Sequence, residues 1–476
     1  MILKIKPAWL LLIGIVVMVA THMTHSIDLA AWVSSVPFLI YLSITKGWKS
    51  RLLFVLALII AWSFCVAKIL SPPMPVVMIF LFSVPISLFH LPGYLLWDRF
   101  KKYKWSFLLF PAVMTIMEWI QYSFTPFASW GVAAYTQSHN LTLMQSLSLF
   151  GMPGLSFLVY WVNISIAEIA VNRKTTRQTF QILIAVLLIL VLFGAFRYEI
   201  SKSKGTNAIT VAAVGTNSEV SGLPLPSKES NDTIKNILFQ RTSTAAKAGA
   251  VLVVWNEAAT FILPEEESIW KDSLSVLAST LKISLVASYV LPVSTAPLKY
   301  ENKYLFFDST GTIVYTYHKH QPVPGEPSMK GKESLKVFEM NGANIGGAIC
   351  YDYDFPYLAR GFGKLHADIV ALPSSDWRGI DPLHSKMAAF RAVEQGHSIL
   401  RSTRFGNSAA ITSYGEIIAQ MSSYDKNDKI MIAYLPVKGV TTVYSVIGDV
   451  FIYICIGFIL AFFIKYAIQK NISSKI

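Results

Sequence analysis

Long runs of apolar residues constrain this chain more than any other feature of its sequence. Seven runs in the N-terminal part and one near the C-terminus approach the roughly 17 to 25 residues that an α-helix needs to cross a bilayer. They lie at 8–23, 29–44, 52–70, 74–97, 106–124, 141–171, 179–196 and 444–468. Because 53% of the residues are hydrophobic and only 14% are charged, part of the chain is expected to lie in lipid.

The basic residues predict how these segments are oriented. They occupy alternate connections, at 4–6, 46–51, 99–104, 173–177 and 465–475. The intervening connections contain neither Lys nor Arg and lie at 22–28, 71–73 and 123–140. The positive-inside rule therefore predicts a cytoplasmic N-terminus and an extracytoplasmic segment after the seventh run. This topology also explains the net charge of +13, so we predict no nucleic-acid partner.

The composition changes along the chain predict three parts. Residues 1–200 hold about seven transmembrane helices, 201–440 form an extracytoplasmic domain, and 441–476 form a last transmembrane helix with a cytoplasmic tail. Short β-rich runs alternate with helical stretches in the middle part, which indicates an α/β domain with a layered sheet core. Metal-ligand spacings, phosphate-binding glycine loops and dinucleotide fingerprints are absent from the sequence, so we predict neither a cofactor nor a metal.

The cysteines single out one residue of the middle part. Cys65 and Cys455 fall inside predicted spans, which leaves Cys350 as the only cysteine of the predicted extracytoplasmic domain. An unpaired thiol is unusual in an oxidising compartment. The alternative is an inert buried cysteine that packs as a small hydrophobic residue.

Three predicted strands end in groups that can react. Glu257 follows the strand 251–255, Lys319 follows 313–317, and Cys350 follows 345–349. Taken singly, they also fit a helix-start acid, a surface amine and a core residue. Together they supply a base for a thiol nucleophile and a cation that favours the thiolate and stabilises an oxyanion. The combination predicts acyl transfer through Cys350.

The motifs around these residues resemble the nitrilase superfamily, and the whole chain resembles its apolipoprotein N-acyltransferase family. In the middle part the matching segments are Trp255-Asn256-Glu257, Lys319 with Pro322-Val323-Pro324-Gly325-Glu326, Cys350-Tyr351-Asp352, Ser375-Asp376-Trp377, Phe390-Arg391-Ala392-Val393-Glu394 and Leu400-Arg401. In the membrane part they are Glu118-Trp119, Trp130-Gly131, Gln145 and Gly151-Met152-Pro153-Gly154.

The resemblance implies an αββα sandwich and a role for each site residue. Glu257 would be the general base, Lys319 the oxyanion stabiliser and Cys350 the nucleophile. Glu326 would be a second carboxylate that orients the lysine. The remaining motif residues expected to support the site are Trp255, Tyr351 and Asp352.

The resemblance also implies the substrates and the location. A phospholipid would donate an acyl chain to Cys350, and the free α-amine of a diacylglyceryl-modified cysteine on an apolipoprotein would receive it. The expected location is the bacterial cytoplasmic (inner) membrane, with the catalytic domain on the periplasmic side and in contact with membrane lipids.

The chain departs from the family pattern near the site. Asn256 replaces a Pro, Asp352 replaces a Glu, Gln121 replaces an Arg, and Arg404-Phe405-Gly406 replaces an Asn-rich stretch. The loop before Glu326 also lacks a Phe. The alternatives are an acyltransferase with another acceptor, a membrane-anchored amidase of the nitrilase type, and a non-catalytic receptor or assembly protein on the same scaffold.

Overall fold

The computed structural model describes residues 5–71, 74–171, 176–203, 207–218, 225–425 and 429–473. Several residues used to predict the topology lie outside these ranges, namely Lys4, Pro72, Pro73, Arg173, Lys174 and Lys475. The chain separates into two compact units. The first comprises Met1–Glu199 and Ile447–Ile476, and the second comprises Ile200–Val446.

The N-terminal part of the first unit is helical. Its helices are α1 (Pro7–Thr21), α2 (Asp28–Ala31), α3 (Val36–Ile44), α4 (Trp48–Ala67), α5 (Val77–Phe100), α6 (Ser106–Phe124), α7 (Leu141–Met144), α8 (Leu147–Ala170) and α9 (Thr176–Ser203). A helix is the element that these apolar runs favour, since it satisfies its own backbone hydrogen bonds in lipid.

Six helices in the described part of the chain have the length and composition needed to cross a membrane. They are α4, α5, α6, α8, residues Gln178–Ile200 of α9, and Val450–Ile472 near the C-terminus. The runs predicted at 8–23 and 29–44 form shorter apolar helices, of which α1 has 15 residues. The described helices thus confirm a multi-pass membrane unit, and the count of eight spans stays a prediction.

Two predicted runs are interrupted in the structure. The run 29–44 divides because α3 restarts at Val36 with Pro37 in its first turn, a position that suits proline. The run 141–171 divides before α8, and Gly151 inside α8 has φ 62° and ψ −166°. This conformation is open to glycine and strained for other residues, so Gly151 marks a kink.

Polar side chains inside the first unit bind the loop that follows α6. Glu118 Oε1 accepts hydrogen bonds from the Ala133 amide (2.9 Å) and the Tyr160 hydroxyl (2.6 Å). Gln121 Nε2 donates to the carbonyl oxygens of Ala128 (3.0 Å) and Trp130 (2.7 Å). The side-chain amide of Gln121 therefore holds this loop against α6.

The second unit contains two six-stranded sheets. The first sheet is formed by β1 (Ala208–Val214), β2 (Leu252–Trp255), β3 (Ser284–Thr295), β4 (Leu298–Phe307), β5 (Ile313–His318) and β12 (Ile430–Pro436). The second is formed by β6 (Phe338–Met340), β7 (Ala343–Gly347), β8 (Ile369–Ser375), β9 (Ser398–Arg404), β10 (Asn407–Ile411) and β11 (Ile417–Ser422).

Parallel strands lie at the centre of each sheet and antiparallel strands at the edges. The strand orders are β12-β1-β2-β3-β4-β5 and β11-β10-β9-β8-β7-β6. The parallel pairs are β1 with β2, β2 with β3, β7 with β8, and β8 with β9. All four residues of β2 are buried, as expected for a strand covered on both faces.

Helices cover the outer faces of the two sheets. They are α10 (Lys228–Lys247), α11 (Glu267–Leu281), α12 (Pro356–Lys364) and α13 (Leu383–Gln395). Leu238 of α10 and Leu274 of α11 are fully buried in one apolar cluster with the first sheet. Between the sheets, the Tyr304 hydroxyl donates to the Gly347 carbonyl over 2.8 Å. The predicted α/β domain is thus confirmed as a four-layer sandwich.

The C-terminal segment returns to the first unit. A short helix, α14 (Val443–Ile447), precedes α15 (Val450–Ser473), which belongs to the membrane unit. Phe462 of α15 is buried against Leu109 and Val113 of α6. The last helix is therefore part of the helical packing of this unit.

Candidate active site

Cys350 begins a tight turn after β7. The strand ends at Gly347, three residues earlier, and Cys350–Asp354 form a short 3-10 helix. Cys350 has φ 47°, a left-handed conformation that is uncommon for a residue with a side chain and typical of functional sites. Its side chain is buried, and its Sγ donates a hydrogen bond to the Ser375 carbonyl over 3.3 Å.

Asp352 stabilises this turn from inside. Its Oδ2 accepts hydrogen bonds from the Ile349 amide (3.0 Å) and the Tyr317 hydroxyl (2.8 Å), and its Oδ1 accepts one from the Gln321 amide (2.6 Å). Burial raises the pKa of Asp352 to about 6 despite these donors. The carboxylate therefore connects the turn of Cys350 to the loop that follows Lys319.

Lys319 lies between two carboxylates. Its Nζ is 2.7 Å from Glu257 Oε1 and 2.7 Å from Glu326 Oε2. Lys319 is only 2% exposed and Glu257 only 3%, so the interaction is shielded from water. The loop with Gly325 at φ 90° turns Glu326 back, and Glu326 Oε2 also accepts the Val323 amide over 2.9 Å. We call Glu257, Lys319 and Glu326 the Glu–Lys cluster.

Asn302 of β4 completes the contacts of this cluster and was not predicted from the sequence. Its Nδ2 donates to Glu257 Oε1 over 2.7 Å and to Glu326 Oε1 over 3.1 Å. Glu257 Oε2 is buried and has no hydrogen-bond partner among the described residues. One oxygen of this carboxylate is thus fixed in place while the other is available to a proton.

The charges determine the resting protonation of the lysine and the thiol. Burial opposes the charged form of Lys319, but Glu257 and Glu326 outweigh it and raise the pKa of Lys319 well above its usual value. Burial and the charge of Glu257 raise the pKa of the Cys350 thiol well above its usual value, although Lys319 lowers it. The resting site therefore pairs an ammonium with a neutral thiol. Lys319 acts on the thiol in the predicted direction, but burial and Glu257 outweigh it.

A second group of buried charges lies on another side of Cys350. His384 of α13 has Nδ1 2.7 Å from Asp376 Oδ1 and Nε2 2.9 Å from Asp354 Oδ1. Arg401 of β9 donates from Nη2 to Asp376 Oδ1 over 2.6 Å. Burial disfavours the imidazolium, but the two aspartates raise the pKa of His384 to about 9. We call these four residues the His–Arg cluster.

The His–Arg cluster approaches the thiol closely. One ligand atom each of Cys350, Asp376 and His384 lie within 4.8 Å of one another. Thiolate, imidazole and carboxylate are zinc ligands, but both ring nitrogens of His384 already contact carboxylates and Arg401 already neutralises Asp376. The donor set therefore fits an ion-pair network better than a resident metal.

Arg404, at the end of β9, is a further buried cation that was given no role from the sequence. Its Nε donates to Ser375 Oγ over 2.8 Å, and its Nη1 donates to the Ser218 carbonyl. Its charge interacts with Glu257 and Cys350. Arg404 thus binds the residue whose carbonyl accepts the Cys350 thiol.

The structure brings most, though not all, of the predicted site residues together. Glu257, Lys319 and Glu326 are in contact, and both Glu257 and Lys319 act electrostatically on Cys350. Trp255 instead points away into the core, where its Nε1 donates to Thr242 Oγ1 of α10 over 2.9 Å. Among the predicted supporting residues, Tyr351 packs edge to face on the Phe355 ring at 5.3 Å.

Comparisons with known proteins match both units. Residues 201–444 match the family described as carbon-nitrogen hydrolase, and residues 14–165 match the family described as apolipoprotein N-acyltransferase N-terminal domain. An apolipoprotein N-acyltransferase of Borreliella burgdorferi is 23% identical over 80% of this chain and 79% of its own length. One of Bradyrhizobium diazoefficiens is 25% identical over 78% of this chain and 77% of its own length.

Solved structures resemble part of the chain. A carbon-nitrogen hydrolase from Helicobacter pylori is 18% identical and covers 49% of this chain and 90% of its own, with a TM-score of 0.41. The matches to the two apolipoprotein N-acyltransferases extend over both units, whereas the match to this solved structure covers about half of the chain.

Proposed function

Because the chain belongs to the carbon-nitrogen hydrolase family, as one of its apolipoprotein N-acyltransferases, we propose that Cys350 takes an acyl chain from a phospholipid and passes it to a lipoprotein. Its similarity to apolipoprotein N-acyltransferases supports lipoprotein N-acylation, and we infer that the acceptor group is the α-amine of the lipoprotein. The proposal adds the donor, the thioester and the role of each residue.

In the first half-reaction, Glu257 removes the proton of the Cys350 thiol as Sγ attacks the ester carbonyl carbon of the phospholipid. The thiol needs a base because its pKa is raised. The Lys319 ammonium stabilises the oxyanion of the tetrahedral intermediate. Glu257 then returns the proton to the leaving alkoxide, which departs as a lysophospholipid and leaves a thioester on Cys350.

In the second half-reaction, the α-amine of the acceptor attacks the thioester carbonyl carbon. Glu257 removes a proton from the attacking nitrogen, the amide bond forms, and the Cys350 sulfur departs as a thiolate that recovers this proton. Lys319 stabilises the oxyanion again. The enzyme returns to its resting protonation without a metal or an oxidant in any step.

One observation carries this proposal. The Glu257 carboxylate is buried, its Oε1 is held by Lys319 and Asn302, and its Oε2 has no partner among the described residues. Most buried polar atoms have a hydrogen-bond partner, so a buried carboxylate oxygen without one needs an explanation. The unpartnered oxygen suits a group that must accept and release a proton near the thiol.

We also propose where in the cell the reaction takes place. A multi-pass membrane unit suits an acyl donor that is confined to the bilayer. The distribution of basic residues supports a catalytic unit on the extracytoplasmic side of the bacterial inner membrane, where lipoproteins are displayed.

The purified full chain tests the function directly. We expect that phosphatidylethanolamine and a diacylglyceryl-cysteine peptide yield a peptide whose mass increases by one acyl chain on its α-amine. A matched peptide with an acetylated N-terminus should gain nothing. Release of free fatty acid at the same rate with and without the peptide would instead indicate a hydrolase.

A further inference from the structure

The basic end of the membrane unit contains a cavity between two helices. Its volume is about 430 Å³, within the range of small-molecule sites. Residues 103–108, in the α5–α6 connection and the first turn of α6, form one side, and residues 458–469 of α15 form the other. Its lining includes Lys104, Trp105, Leu108, Ala461, Lys465 and Tyr466.

Aromatic contacts join the two segments that line the cavity. Phe100 at the end of α5 lies edge to face against Phe463 and Tyr466 of α15, each at 5.2 Å. Tyr103 packs on Tyr466 at 5.0 Å, also edge to face. Tyr103 and Tyr466, which both line the cavity, are thus held by contacts between the α5–α6 connection and α15.

The charge at the cavity is positive and uncompensated. Lys104 and Lys465 are both exposed, and neither forms an ion pair within the described ranges. The sequence has no Asp or Glu between 99 and 117 or between 450 and 476. The nearest acid along the chain, Asp98, is already paired with Arg51 at 2.6 Å and Lys101 at 2.7 Å.

The remaining lining suits the interfacial part of a lipid. Trp105 is 44% exposed, and the Lys104 ammonium lies 5.5 Å from its ring centroid. Trp and Tyr concentrate at the headgroup level of bilayers, and lysines there attract anionic lipids by about 1 kcal/mol each. Leu108 and Ala461 continue the lining as apolar surface on which an acyl chain can lie.

We propose that this cavity binds one anionic phospholipid, with its phosphate between Lys104 and Lys465 and an acyl chain along Leu108 and Ala461. The cavity belongs to the membrane unit, whereas Cys350 belongs to the other unit, so we do not assign this lipid as the acyl donor. It joins the α5–α6 connection to the last helix and stabilises their packing.

Native mass spectrometry of the full chain, titrated with phosphatidylglycerol, tests the site. The double variant Lys104→Ala/Lys465→Ala should weaken binding of the first lipid about thirtyfold. The matched control Lys102→Ala/Lys470→Ala removes two exposed lysines from the same two segments outside the cavity and should bind as the unaltered chain does. Phosphatidylcholine with the same acyl chains should bind the unaltered chain and the Lys104→Ala/Lys465→Ala variant with equal affinity.

A third variant separates the acyl chain from the headgroup. Ala461→Trp fills the apolar part of the cavity and keeps both lysines, and it should also weaken phosphatidylglycerol binding. Equal weakening by the two lysine pairs would overturn the proposal, because diffuse surface charge would explain it. If Ala461→Trp bound phosphatidylglycerol as tightly as the unaltered chain, or if inorganic phosphate alone displaced the lipid, the ligand would not be a phospholipid.

Discussion

The two buried clusters around Cys350 differ in how much of their charge is compensated. The Glu–Lys cluster has two carboxylates for one ammonium, and Glu257 Oε2 has no partner in the described residues. The His–Arg cluster has two carboxylates for two cations, and both ring nitrogens of His384 are occupied. The first can exchange a proton with a reacting group, whereas the second is built to hold its members in place.

This difference explains why two groups of similar composition have different tasks. The unpartnered oxygen of the His–Arg cluster, Asp376 Oδ2, lies against Gly406, where a Cβ atom would come within 2.4 Å of it. Asp376 Oδ2 therefore faces the backbone of Gly406. The His–Arg cluster therefore acts through the position of the turn that contains Cys350 and through its field on the thiol.

The largest effect should follow from Glu257→Gln. The amide keeps the hydrogen-bonding shape but cannot accept the thiol proton, so we expect acyl transfer to fall about 10³-fold. The matched change in the other cluster, Asp376→Asn, should reduce transfer far less in protein that remains folded. Rates of peptide acylation measure both. A larger loss in Asp376→Asn than in Glu257→Gln would reverse the assignment of the two clusters.

His384→Gln should have the next largest effect and slow acyl transfer about tenfold. Asp354, which lies in the turn that begins at Cys350, loses its ion pair with His384 in this variant. The substitution should also change the pH dependence of stability. Since Asp354 and Asp376 raise the pKa of His384 from 6.5 to about 9, its protonated ring stabilises the fold below about pH 6.5. That stabilisation, about 3 kcal/mol, is lost as the pH rises through 9.

Thermal unfolding of the unaltered chain between pH 6.5 and 9 measures this loss. The midpoint should fall across the interval, and the fall should be smaller in His384→Gln. The same fall in both proteins would show that another group titrates there.

Arg404→Gln should have a smaller effect. Its guanidinium stabilises a negative charge on Cys350, so its removal should slow alkylation of the thiol by iodoacetamide about fivefold, equivalent to ~1 kcal/mol. Arg404→Lys keeps the charge and should recover part of the rate. An alkylation rate that is unchanged in Arg404→Gln would show that the cation acts only on the fold.

The smallest effect on chemistry should come from Trp255→Phe, although Trp255 belongs to the motif of Glu257. Its indole donates to Thr242 in the core, so the variant should lose about 1 kcal/mol of stability and keep its rate of acyl transfer. A tenfold loss of transfer in folded protein would place Trp255 among the residues that position Glu257.

The apolar runs and strand ends could be read from the sequence because each depends on local pattern. The buried strand β2 and the acid after it are contiguous, as are β5 and Lys319. The elements not predicted lack such a signal. Helix α12 contains Gly361 and Gly363, and glycines are more typical of loops than of helices. Strand β6 has only three residues. Strands β11 and β12 were not predicted either, and β12 pairs with β1, far away in the chain.

The contacts of the His–Arg cluster could not be read from the sequence, although Asp376 and Arg401 lie in matching motifs, because its four members come from separate elements. Asp354, Asp376, His384 and Arg401 meet only through the packing of α13 on the second sheet. A weak signal did exist, since Arg401 interrupts the apolar strand β9 and a charge at such a position needs a buried partner. Asn302 gave no signal, because a single amide in a strand is ordinary.

The central claim is that Cys350 carries the acyl chain between donor and acceptor. The full chain is incubated with a phospholipid labelled in its acyl chain and without acceptor, and intact-protein mass spectrometry then measures covalent label. We predict one acyl group per chain, attached to Cys350 and released by hydroxylamine, and none in Cys350→Ala. Equal labelling of Cys350→Ala, or peptide acylation that continues in that variant, would contradict the account.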